Sequence, residues 1–321
     1  MKPRQMAGIW ATARSELGAI LRWPFPVALF DVVLGYAPPF PRLCTASRVE
    51  LPLEFRNVLN VFCDPATGCA YVLAHTRKSV SVIAQRPGRD EWETCIVWQA
   101  SRPHLLACQN GVLALQDTTH VWWFQENGGP TGPWSHVETR DDPRYSVVVG
   151  FGENLRALFT EHGSIDLHEA LGHLSLRTVC SNVSAKRCGA LAFDSGIGRL
   201  FVLALDVDDK LCVLAVGPFG KTMLEPCRIW VIDTVIATFW TDAVALAVDS
   251  ARGILYVGFD STVCLVCTTT LELRATWSLP TQAHLGVVWG LAVRSDGSVL
   301  VAMSSKDADA LLACVPAHPT F

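Results

Sequence analysis

The chain has 321 residues, 50% of them hydrophobic and 17% charged, and carries a net charge of −4. That balance demands extensive apolar burial and argues against the basic field of a nucleic-acid binder. A membrane-spanning helix is excluded as well: 23–41 is broken by Asp31 and by Pro24, Pro26, Pro38, Pro39 and Pro41, and 229–248 contains Asp233 and Asp242.

Residues 1–47 are expected to form an N-terminal extension. Met6, Ile9, Trp10, Ala13, Leu17, Ile20 and Leu21 recur at helical spacing, and Pro24 ends that helix. Three readings of it stay open. The helix packs on the main domain, it offers Trp10 and Leu17 to a protein partner, or it is a basic, amphipathic mitochondrial targeting segment. Glu16 and the lack of a Ser-rich stretch speak against the last.

The main domain is expected over 48–321. It opens with 48–54, Arg-Val-Glu-Leu-Pro-Leu-Glu, an alternating segment read as the strand that completes the final sheet and pins the two ends of the domain together. Pro52 has no N–H to donate, so that strand belongs at an edge.

A repeated unit follows: apolar strand, Asp, three spacer residues, Gly, one residue, apolar strand. It reads Asp64-Pro-Ala-Thr-Gly68-Cys-Ala-Tyr71-Val72, then Asp194-Ser-Gly-Ile-Gly198-Arg-Leu-Phe201-Val202, then Asp249-Ser-Ala-Arg-Gly253-Ile-Leu-Tyr256-Val257. A shortened copy runs from Arg294 through Asp296-Gly297 to Leu300-Val301. The chemistry is that of a hairpin corner. Asp accepts hydrogen bonds from the backbone just ahead of it, and Gly supplies a left-handed conformation at low steric cost. Weaker copies lie between these, with Asn110-Gly111 as a tight turn and 152–154 as a Gly-containing turn.

The marker glycines 68, 111, 152, 198, 253 and 297 recur every 41 to 55 residues, close to the roughly 40 to 50 residues of a four-stranded propeller blade. Third-strand signals follow five of the six hairpins, at 79–84, 120–125, 164–168, 210–216 and 262–268. The expected fold is therefore all-β: a single β-propeller of about six four-stranded blades behind an N-terminal helical extension.

Candidate chemistry is sparse. Trp122-Trp123 point to opposite faces of one strand, so one is free to anchor a partner, and Trp134 closes an exposed 128–134 loop rich in Gly and Pro. His162, His168 and His173, with Glu161, Asp166 and Glu169, read as solvated residues rather than a convergent site. Ser195 sits in a hairpin turn, not a nucleophile elbow. Cys264 and Cys267 are three apart on a strand, which sends the thiols to opposite faces and is wrong for a shared zinc. The 12 cysteines as a set show no regular framework and read as reduced, buried thiols. They place the chain in a reducing compartment inside the cell, the cytoplasm first; the mitochondrion is the alternative if residues 1–47 are a targeting segment.

The repeat resembles the NHL and YVTN propeller families, whose units run apolar–Asp–turn–Gly–apolar–Tyr–Val. The resemblance covers 55–321 and is strongest at 188–218 and 243–301. It lacks the Asn-His-Leu tripeptide, the nearest segment being Ala283-His284-Leu285. It implies the fold, while the activities of those families vary widely. Some six-bladed propellers similar to gluconolactonase and paraoxonase are lactonases with a central metal; the corresponding channel positions here would be Asn57, Asn60, Asn110, Asn154 and Asp242, which do not reproduce a carboxylate-and-amide set.

The expectation is thus a non-catalytic scaffold that binds protein partners as a subunit of a larger assembly, with no cofactor, no metal and no nucleic acid. A lactonase-like, metal-dependent hydrolase is the alternative, and RNA binding of the NHL kind comes third.

Overall fold

The computed structural model describes residues 43–317 except 53–54, 56, 65–66, 77–78, 99–104, 110–111, 117–119, 127–133, 142–144, 152–154, 161–164, 171–175, 179–186, 195, 206–210, 217–226, 233–243, 260, 280–284 and 306–309. The expected helix with Trp10 and Leu17 lies outside them.

Every described element is a strand. β1 (Leu43–Val49) comes first. Next are β2 (Asn57–Cys63), β3 (Ala70–His75), β4 (Val80–Gln85) and β5 (Trp92–Trp98). β6 (Leu105–Gln109), β7 (Val112–Gln116), β8 (His120–Glu126) and β9 (Trp134–Asp141) follow. The third set is β10 (Tyr145–Phe151), β11 (Leu155–Thr160), β12 (Ile165–Ala170) and β13 (Leu176–Thr178). The fourth is β14 (Arg187–Asp194), β15 (Arg199–Leu205), β16 (Leu211–Val216) and β17 (Cys227–Ile232). The fifth is β18 (Val244–Asp249), β19 (Ile254–Phe259), β20 (Thr262–Cys267) and β21 (Leu273–Ser278). Last come β22 (Leu285–Val293), β23 (Val299–Ser305) and β24 (Ala310–Ala317).

The described strands make six four-stranded antiparallel sheets, five of them contiguous in sequence. The first strands β2, β6, β10, β14, β18 and β22 lie side by side in that order, and β22 in turn lies beside β2. The sheets therefore stand radially around a closed ring.

The last sheet has the order β1-β24-β23-β22, so its outer strand comes from the beginning of the described chain. That strand is Leu43–Val49, not 48–54: only Arg48 and Val49 of the expected segment pair, with Leu312 and Leu311. The rest leads to β2, and the carbonyl of Pro52 accepts a 3.0 Å hydrogen bond from the amide of Phe55. Pro52 lies outside any strand, where its missing N–H costs no ladder bond.

Burial explains the composition. β19 is buried along its whole length and β3 and β4 nearly so, because a neighbouring sheet covers each face. The outer strands β5 and β21 are mostly open to solvent. The core is divided among the interfaces between sheets. One cluster joins Tyr256, Leu265 and Trp277 of the fifth sheet to Val288, Val301 and Cys314 of the last, and another joins Val61 and Val72 to Leu300 and Leu311. At about 1.5–3 kcal/mol per buried large apolar side chain, these interfaces hold the ring. Close approach is needed at Gly258, where a β-carbon would lie 2.7 Å from a Val288 methyl.

Four of the fourth strands carry the same irregularity. Their register with the third strand shifts by one residue at Val82/Ile83, Trp123/Phe124, Val213/Leu214 and Leu265/Val266. Such bulges increase local twist, which suits a strand at the periphery of a ring.

Candidate functional site

The singled-out Asp and Gly residues that the structure describes, Asp64, Gly68, Asp194, Gly198, Asp249, Gly253, Asp296 and Gly297, converge on one end of the ring. In an up-and-down sheet, the turn between strands one and two and that between strands three and four lie at the same end, so each of the five sheets that are contiguous in sequence directs two connections to this face, and the last sheet directs one.

The corners are built by their aspartates. Asp64 and Asp194 are fully buried and Asp249 is 5% exposed. At the first corner the Gly68 amide donates to the Asp64 carbonyl (2.8 Å) and the Asp64 amide donates to the Cys69 carbonyl (2.9 Å). The Gly253 amide donates to the Asp249 carbonyl at 2.8 Å in the same way. Gly68, Gly198 and Gly253 have φ of 71°, 63° and 65°, the left-handed region that favours glycine.

The residue three after Asp differs among the corners, and the carboxylate responds. The Thr67 hydroxyl donates to Asp64 Oδ2 at 3.0 Å. At the third full copy the Arg252 guanidinium lies 2.6 Å from Asp249 Oδ2, while the Arg252 amide donates to Oδ1 at 3.0 Å. Asp194 Oδ1 accepts from the Gly196 amide at 2.9 Å, but the residue three on is Ile197, whose side chain has nothing to donate. Asp194 Oδ2 is buried without a hydrogen-bond partner among the described residues.

Arginines then tie corner to corner. Arg199 donates to the Thr268 carbonyl of the next sheet at 3.1 Å. Arg252 reaches the Asp296 carbonyl at 3.5 Å. Arg294 donates to Gln85 Oε1 at 2.6 Å, across to the sheet of β2–β5. At the shortened corner, Asp296 Oδ1 accepts from the Ser298 amide at 2.8 Å and the Ser298 hydroxyl at 2.7 Å. Partial burial works to raise its pKa, but the Ser298 donors and the positive charges of Arg294 and Arg252 outweigh it and hold the carboxyl below its ordinary value.

The remaining expected residues are dispersed. Asn57, exposed, begins β2 at the end away from the corners, and Asn60, half-buried, lies at the middle of that strand. Trp122 and Trp123 are on β8, opposite Leu115 and Ala114, and Trp134 begins β9 opposite Glu126. His168, Asp166 and Glu169 are on β12. Asn110, Gly111, Asn154, Glu161, His162, His173, Ser195 and Asp242 lie outside the described residues. Cys264 and Cys267 are both buried but face different partners, Thr276 at 3.7 Å and Thr269 at 3.1 Å. Among the described residues, no three His, Cys, Asp or Glu side chains are grouped to hold a metal, and no helix is long and apolar enough to cross a membrane.

Arg199, Arg252, Arg294 and Gln85 were not singled out from sequence. Arg252 occupies a spacer position that the repeat leaves free, and its bridging partner is a whole sheet away.

A solved structure of a luciferin-regenerating enzyme is similar to this chain, with a TM-score of 0.56 and 10% sequence identity over 85% of this chain and 95% of that one. The chain is a β-propeller. At that identity the likeness carries the fold alone. No known family profile matches the chain, and no curated protein matches it.

Proposed function

We propose that the propeller is a non-catalytic scaffold that binds protein partners and acts as a subunit of a larger assembly. The observation that carries this reading is the use to which the corner face puts its polar groups. Its acidic and basic side chains hold turns in place and join one sheet to the next, as Asp249, Arg252 and Arg294 do. Meanwhile large apolar side chains stand in solvent toward the outside of three successive sheets: Leu273 at 45% exposure, and Val315 and Val97 at 54% each. Apolar side chains presented on a rigid body suit association with a partner surface.

The repeat supports an NHL- or YVTN-like ancestry, and the low charge favours a partly apolar interface. Affinity isolation of the tagged full chain tests the proposal, alongside a V97K/L273K/V315K variant. Stoichiometric recovery of a protein partner by the wild type, lost in a triple variant of unchanged thermal stability, supports it. Equal recovery by both, or a clean monomer with no partner, overturns it.

A lactonase-like hydrolase is the second reading, suggested by the enzyme name of the similar structure. Turnover of lactone substrates by purified, metal-supplemented protein, abolished by Asn60→Ala, would establish it in place of the first.

A further inference from the structure

We propose that Cys44 and Cys314 form a redox clasp, in which a small-molecule disulfide oxidises the two thiols to an intramolecular disulfide that fastens the seam of the ring. Cys44 is on β1 and Cys314 on β24. Pairing sets Cys44 opposite Pro316 and Cys314 opposite Ala46, so the two cysteines are diagonal neighbours on one face of the sheet. The two thiols are near enough to perturb each other's ionisation. Cys314 is fully buried in the cluster between the fifth and last sheets, and partly exposed Cys44 packs against the same cluster.

The other described cysteines that lie near one another are separated by their own sheets. Cys63 and Cys69 belong to different interfaces, and Cys264 and Cys267 bond to different threonines. Diagonal residues in a flat sheet are about 7–8 Å apart at Cα, slightly more than a disulfide spans. β1 is hydrogen-bonded on one side only, and such an edge strand can take up the shift.

The division of labour follows from the environment. The neighbouring Cys314 thiol lowers the Cys44 thiol, against the effect of its partial burial, whereas Cys314 is raised by the same neighbour and by burial. Cys44 is the attacking thiolate. It bonds to one sulfur of the small disulfide and expels the other as a thiolate. Cys314 then gives up its proton to the small thiolate just expelled and attacks the Cys44 sulfur, expelling the second small thiolate. Two protein thiols are oxidised and one small disulfide is reduced to two thiols.

The clasp joins residues far apart in the chain, so it removes much of the freedom of the unfolded state. The test is oxidation of the native full chain with glutathione disulfide, followed by trypsin and mass spectrometry without reductant. Cleavage after Arg42, Arg48 and Lys306 puts each cysteine alone in its peptide, 43–48 and 307–321. The expected result is a linked pair of these peptides that dithiothreitol separates, with a thermal midpoint about 5 °C or more above that of the reduced protein. Cys44→Ser should lose both effects and Cys95→Ser neither. Glutathione left on Cys44 as a mixed disulfide, with no linked peptide, would overturn the clasp. So would a linked peptide that leaves the midpoint unmoved. The mapping on wild-type protein stands whether or not a variant folds.

Discussion

Arg252 fills the space that a side chain on Gly297 would need. A β-carbon there would run into the guanidinium, which the 2.6 Å contact with nearly buried Asp249 holds in place. Two successive corners are thereby interlocked, and Gly297 also has a φ of 83°. Gly297→Ala is expected to destabilise the protein by about 2–3 kcal/mol. Arg252→Ala strips Asp249 of its partner and should cost about 2 kcal/mol, less than for a fully buried pair because the arginine is partly solvated. The double variant should be less destabilised than the two losses added together. Denaturant unfolding of all four proteins measures the coupling, and strict additivity would contradict the interlock.

Asp194 Oδ2 lacks the donor that Thr67 and Arg252 supply to its counterparts. Ile197→Thr places a hydroxyl at the matching position. It is expected to raise stability by about 0.5–1 kcal/mol, whereas Ile197→Val, which only trims the side chain, should lower it. Both are read from urea unfolding midpoints. A threonine variant no more stable than the valine one would mean that the two corners are not equivalent.

Acid should loosen the shortened corner. The Asp296 carboxyl is held below its ordinary value in the folded protein, so the unfolded chain binds the proton more readily. The stabilising contribution is complete above the unfolded pKa of about 3.9 and is lost as pH falls through the lower folded value. Asp296→Asn keeps an oxygen for Ser298 but drops the charge. It should cost less than about 1 kcal/mol near neutrality and flatten the fall in thermal midpoint between pH 5 and pH 2.5. Parallel curves for the two proteins would assign the acid sensitivity elsewhere.

Deleting 43–49 removes every partner of β24 on its outer side. The expected outcome is loss of the cooperative thermal transition and rapid proteolysis from the C-terminal sheet. Deleting the 1–42 segment instead should preserve the transition. Circular dichroism melts and limited proteolysis distinguish the two, and a cooperative melt in the first variant would show that the ring holds without its seam.

The corners were readable because their chemistry is local. Asp64, Asp194 and Asp249 each stand four residues before a glycine, and the hydrogen bonds that define the turn run within that interval. Strand periodicity located the middle strands, since burial on both faces leaves continuous apolar runs such as Ile254–Phe259. The start of the closing strand is not legible in sequence because its partner lies at the far end of the domain: Leu43-Cys-Thr-Ala-Ser has little alternation, and only pairing with β24 decides its register. The bridges made by Arg199, Arg252 and Arg294 were not readable either. An arginine in a turn looks like a solvated charge until the neighbouring sheet brings a carbonyl or amide to it.

The split composition of the last sheet also sets a timetable for biosynthesis. β1 leaves the ribosome long before β24 exists, and must wait with an unpaired edge while five complete sheets are made. Ring closure is therefore a late event with a large loop entropy. A polypeptide interrupted before residue 310 would carry that edge permanently, exposing it to wrong pairing with other chains.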